Sequence, residues 1–164
     1  MKKFIFNAAV IFMVGNSSVF ADTLPVQYSY QVALFAGGEE IYKHSNFTHE
    51  RNQFGTKKNI PYLVKACVST GTKTTNKNSV KQFSEGVTYY IDMQTSKLSV
   101  FETVIDESTY RKPEKSEVDT CMNTGEPTER EYRYDVDFDV TSIDTQHFTF
   151  KNDREVYVTV RKQE

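Results

Sequence analysis

The longest unbroken pattern in the chain is a two-residue alternation from Glu131 to Val140. Tyr132, Tyr134, Val136, Phe138 and Val140 fall on one parity; Glu131, Arg133, Asp135, Asp137 and Asp139 fall on the other. Successive side chains of a strand point to opposite faces, so this predicts a strand with one buried and one wet face. Val26 to Leu34 behaves likewise, with Val26, Tyr28, Tyr30, Val32 and Leu34 inward. Gly37-Gly38 then predicts a turn into a weaker strand over Glu40 to His49, paired back as a hairpin. Ile60, Tyr62, Val64, Ala66 and Val68 form a further inward set, and the polar stretch Thr70 to Asn78 reads as a loop. Val87, Tyr89, Ile91 and Met93 predict the next strand. Thr95-Ser96-Lys97 turns into Leu98 to Ile105, where both parities carry apolar residues. Phe148 and Phe150 lead through a turn at Asn152-Asp153 into Val156, Val158 and Val160. Eight or nine short strands at hairpin spacing predict an all-β fold, either an antiparallel β-sandwich or a small barrel.

One segment interrupts this rhythm. Asp106 to Thr128 is mostly charged and small, with Pro113, Gly125 and Pro127, and it contains Cys121. Loops of this length are uncommon in compact domains and are often functional. Cys67, the second of two cysteines, lies on the parity opposite to Tyr62, Val64 and Ala66 and should face outward. A Cys67–Cys121 bridge therefore predicts that the long loop folds back over the outer face of the Ile60–Ser69 strand.

The N-terminus sets the compartment in which that bridge forms. Lys2 and Lys3, the apolar run Phe4 to Val14, and Val19 and Ala21 before a cut read as a secretory signal peptide, residues 1–21. The run is shorter than the roughly 20 apolar residues a membrane span needs. Cleavage after Ala21 leaves one β domain, 22–164, periplasmic or secreted, where an oxidising environment favours the bridge. It takes two of the 20 basic residues and none of the 22 acids, so the formal charge moves from −2 to about −4. An acidic balance without a basic face argues against a nucleic-acid partner.

Candidate chemistry is sparse. Asp135, Asp137 and Asp139 line one strand face about 6.6 Å apart. Calcium takes roughly six to eight oxygens, so this row is a weak metal candidate that needs ligands from elsewhere. His44, His49 and His147 show no metal spacing and read as surface residues. No GxSxG or SxxK motif is present. Glu50, Glu85, Glu102 and Asp106 are the acids open to pairing by the fold for glycosidase-type chemistry. Phe35, Tyr90, Phe101 and Tyr157 break the polar parity of their strands and are candidates for an exposed patch, or for cover by a second layer. No cofactor is expected.

The opening strand with Gly37-Gly38-Glu39, and Gly86-Val-Thr-Tyr-Tyr90, resemble exported accessory domains of pilus and secretion machines over a minor part of the chain. Small periplasmic lysozyme inhibitors are similar in size, export, bridge and β-content, but their inhibitory motif is absent here. Chaperone–usher pilins end in an alternating aromatic pattern, whereas this chain ends Thr159-Val-Arg-Lys-Gln-Glu164. These features together predict a non-catalytic binding module of the bacterial envelope, engaging an envelope or secreted protein such as a pilus or secretion component. Tyr110, Arg111 and Lys112 are its candidate binding residues, since Tyr and Arg are enriched at interface hot spots. The alternatives are a small periplasmic enzyme or enzyme inhibitor acting at the cell wall, and a carrier of a small apolar ligand.

Overall fold

A computed structural model describes residues 25–117 and 120–163. The signal peptide and its cut after Ala21 lie outside the described residues. The strands are β1 (Tyr28–Ala36), β2 (Glu39–Thr48), β3 (Arg51–Thr70), β4 (Lys73–Asp92), β5 (Lys97–Asp106), β6 (Thr128–Asp137), β7 (Gln146–Phe150) and β8 (Arg154–Lys162). One helical turn, of 3-10 type, covers Lys115–Glu117. The strands form two antiparallel four-stranded sheets, ordered β2-β1-β8-β7 and β3-β4-β5-β6. The fold is a small β-sandwich, which resolves the sandwich-or-barrel alternative.

The predicted alternations build its core. Tyr30, Val32 and Leu34 of β1 and Val156, Val158 and Val160 of β8 face Val87, Tyr89 and Ile91 of β4, Leu98 and Val100 of β5, and Tyr134 and Val136 of β6. Fully burying one such aliphatic side chain contributes about 1.5–3 kcal/mol, so this shared layer is the main adhesive between the sheets. The turn residues also act as predicted. Gly37, Gly38, Asn152 and Asp153 all take positive φ, the geometry of tight hairpin turns.

Two expectations need correction. Thr70–Asn78 is not a loop: β3 and β4 pair continuously from Arg51↔Asp92 to Thr70↔Lys73. Nor do Ile60, Tyr62, Val64, Ala66 and Val68 face the core; the first three are half-buried and the last two exposed. Both errors have one cause. β5 pairs with β4 only between Gly86 and Asp92, so the distal part of the β3–β4 hairpin projects past its sheet as a two-stranded arm. Among the described residues no second sheet opposes the arm: the Ile60–Val68 face of β3 meets the long loop or water, and the polar stretch of β4 beside it carries no alternation that pattern reading detects. Gly86 stands where the arm departs. Its φ is 147°, and a Cβ there would lie 1.9 Å from the Thr56 carbonyl oxygen, so no other residue fits without displacing β3.

His44 is also misplaced by the sequence reading. Its ring stacks on Phe54 at 3.7 Å, and its Nδ1 is hydrogen-bonded at 2.6 Å to the Tyr89 hydroxyl, which is itself 3.0 Å from the Tyr30 hydroxyl. Burial lowers the His44 pKa below the ordinary value and raises that of Tyr89, so a neutral imidazole meets a protonated phenol. A histidine whose folded pKa is depressed leaves the unfolded chain to bind the proton first. Stability is therefore full above about pH 6.5 and declines as pH falls toward the folded pKa. Asp92 and Asp106, held low chiefly by backbone hydrogen bonds, lose their contribution only below about pH 4. Thermal melts should show a drop between pH 7 and pH 5.5 that His44→Gln flattens. An unchanged drop in that variant would assign the effect elsewhere.

Candidate functional site

The arm and the long loop meet in one structure, and the loop clasps β3 from both faces. β5 ends at Asp106, whose carboxylate accepts from the Ser108 N–H at 2.9 Å and pairs with Arg130. From there the chain rises to Tyr110, whose ring meets Tyr62 edge-on at 5.0 Å while its hydroxyl donates to the Leu63 carbonyl at 3.2 Å. Tyr62 in turn packs edge-on against Phe83 at 5.4 Å and donates its hydroxyl to Glu107.

The returning limb closes on the outer edge of β3. Thr124 N–H donates to the Lys65 carbonyl at 3.1 Å, Lys65 N–H donates to Thr124 Oγ1 at 3.0 Å, and Cys67 N–H donates to Asn123 Oδ1 at 2.7 Å. On the far face the Cys67–Cys121 disulfide links strand and loop across 54 residues of sequence. Lys65 is 1% exposed, and its Nζ donates to the Glu117 and Thr120 carbonyls at 2.6 and 2.8 Å. On the near face Lys81 pairs with Glu126. Gly125, with φ 71°, lets the loop pass Thr109: a Cβ would stand 1.8 Å from that residue's carbonyl oxygen.

Between arm and loop lies a groove of about 470 Å³, walled by Ile60, Pro61, Tyr62, Leu63, Tyr110 and Pro113, with Glu107 and Lys112 also lining it. The hydrogen bond to Glu107 pushes the Tyr62 pKa up to about 12, and burial raises that of Tyr110. Both phenols stay protonated at neutral pH. The groove thus offers aromatic walls and an exposed ammonium at Lys112, chemistry suited to holding a partner.

The three predicted binding residues divide by role. Tyr110 is a half-buried wall, and Lys112 is exposed without an ion pair among the described residues. Arg111 faces its own loop, pairing with Glu117 at 2.6 Å while its N–H donates to the Thr124 carbonyl at 2.7 Å. It braces the loop rather than presenting a free guanidinium. Cys67 and Cys121 pair as expected. Sequence reading missed Tyr62, taken as core, and Lys65, Asn123 and Thr124. Lys65 shares the parity of Cys67, so the expected cover by the loop was the signal for it. Nothing in the local sequence marks Asn123 or Thr124 as edge caps.

Other candidates are engaged elsewhere. Asp135 accepts from Ser99 at 2.6 Å and pairs with Arg133, Asp137 pairs with Lys97, and Asp139 accepts from the Thr141 N–H at 2.8 Å. Among the described residues no cluster of His, Cys, Asp or Glu is placed to hold a metal ion. Of the four acids, Glu85 and Glu102 line a common cleft of about 410 Å³. Glu102 is buried at 3% exposure and committed to structure: Arg154 clasps it with bonds of 2.9 and 3.0 Å, and Tyr134 donates to it at 2.7 Å.

The outward aromatics find neighbours within their own sheets. Phe35 meets Tyr157 edge-on at 4.9 Å, His147 stacks on Tyr157 at 4.3 Å, and Arg133 sits over Phe101 at 5.4 Å. Tyr90 remains 37% exposed. Neither a second layer nor the long loop is what covers them, because the loop is spent on the arm.

No protein-family model matches the chain, and neither a curated protein nor a solved structure is detectably similar to it. Among the described residues no helix is long and apolar enough to cross a membrane. The disulfide fits a protein outside the reducing cytoplasm.

Proposed function

We propose that the chain is an exported, non-catalytic binding module of the bacterial envelope, and that it grips another envelope protein or a pilus or secretion component through the arm–loop groove. The observation that carries this reading is the braced groove itself. A long loop is held to β3 by backbone bonds, a buried lysine and a disulfide, with Tyr110 set in the wall and Lys112 exposed at its rim. A loop ordered before binding loses little entropy on contact, so more of the interaction energy appears as affinity. Periplasmic residence follows from the signal-peptide reading and is supported by the bridge.

The test is capture from the native envelope with the tagged full chain, against Lys112→Glu and Tyr110→Ala. One recurrent stoichiometric protein is expected. Removing a hot-spot residue costs about 2 kcal/mol or more, roughly thirtyfold in affinity, so both variants should lose it. Lys112→Glu separates binding from folding, since that side chain is exposed and makes no ion pair among the described residues. Capture of no protein overturns the reading.

A further inference from the structure

The arm has a second edge, and no described strand pairs with it. On β3, the Leu63 carbonyl, both backbone groups of Lys65 and the Cys67 N–H all point outward to the loop. Their ladder partners are Val80, Asn78 and Asn76, which are therefore non-hydrogen-bonded pairs. The N–H and C=O groups of those residues, and of Thr74 and Gln82 in the same alternation, consequently point away from β3 along the outer edge of β4. β5 reaches no further than Gly86, and no described backbone group bonds this edge. The one N–H next to it that is satisfied belongs to Ser84, which donates to the Glu129 carboxylate. A two-stranded ribbon is marginal in water, and here the loop completes one side only.

Side-chain chemistry specifies what fits. Lys73, Lys77 and Lys81 project from one face of the edge strand, and Val80, 66% exposed, projects from the other. Lys81 is met by Glu126; Lys73 and Lys77 have no carboxylate partner among the described residues. Lysines beside an open edge discourage self-pairing, because two copies set edge to edge would bring their lysine rows together on one face. The same row attracts an added strand that carries carboxylates on one parity and apolar residues on the other. The chain holds an internal example: β6 alternates acids with Tyr134 and Val136, and its Asp137 pairs with Lys97 of β5 at 3.1 Å.

Resting on the binding-module reading, we infer that β4 from Lys73 to Gln82 is a strand-addition site for an extended acidic segment of the partner protein. Backbone bonds would supply affinity, and the lysine row and Val80 would supply register. The probe is a ten-residue peptide alternating Glu with Val and Thr, titrated into the isotope-labelled full chain and followed by amide NMR.

Shifts are expected at Thr74, Asn76, Asn78, Val80 and Gln82. Reversal of Lys73 and Lys77 to Glu should weaken binding about tenfold, and Val80→Pro should abolish it, since the lost N–H faces outward and serves no internal bond. A peptide with Lys in place of Glu should be inert. No shifts along β4, or equal binding by a peptide N-methylated at alternate amides, overturns the inference. The two readings fail separately: a captured envelope partner lost with Lys112→Glu but kept by Val80→Pro overturns strand addition alone.

Discussion

Replacing Cys67 and Cys121 by serine lowers stability by about 4 kcal/mol, the chain-entropy cost of freeing a loop closed across 54 residues. The consequence extends past the global number. Without the bridge, the far face of the clasp rests on Lys65 and Asn76, which donate to the Glu117 and Thr120 carbonyls, so the loop frays from β3 before the sandwich melts. Urea unfolding of the oxidised and Cys-free chains measures the first effect. Amide exchange at Lys65 and Cys67, whose N–H groups are held by Thr124 and Asn123, measures the second. An unchanged midpoint together with unchanged protection at those two amides contradicts the role given to the bridge.

Replacing Glu102 by leucine costs about 3–5 kcal/mol, because it strands Arg154 and the Tyr134 hydroxyl at the sandwich margin without their shared acceptor. Arg154 keeps 23% of its side-chain surface in water, which places the loss near the lower end of that range. The cluster joins β5 of one sheet to β8 of the other, so the loss appears as global unfolding. A second substitution, Arg154→Met, should restore much of the stability, since a packed apolar pair needs no counter-charge. Failure of the double variant to recover would show that the carboxylate serves more than its arginine.

Where side chains alternate between core and solvent, the fold was legible. Tyr30, Val32 and Leu34, or Tyr134, Val136 and Phe138, announce both the strand and its buried face, and Gly37-Gly38 and Asn152-Asp153 announce the turns. The β3 half of the arm was legible as a strand over Ile60–Ser69, but its partner was not, because the polar stretch of β4 faces no second sheet and need not alternate. Thr74, Asn76 and Asn78 read as loop from polarity alone, although threonine is at home in a strand. The candidate site was half legible. The spacing of the two cysteines and the parity of Cys67 located the loop against β3. Tyr110 and Lys112 line the groove, but Arg111 turned to Glu117, because an acid six residues along the same loop lay within its reach. Tyr62 was misassigned because an aromatic wall and a core aromatic look alike in sequence. His44 was misassigned because its partners, Phe54 and Tyr89, come from strands that folding alone brings beside β2.

The most direct test of the binding groove is site-specific photo-crosslinking in the living cell, with the reactive residue placed at Lys112 and, as control, at Thr149 on the wet face of the other sheet. A single adduct of defined mass from position 112, absent from position 149, is the predicted result. Adducts from position 149 alone, or from neither position, would contradict it.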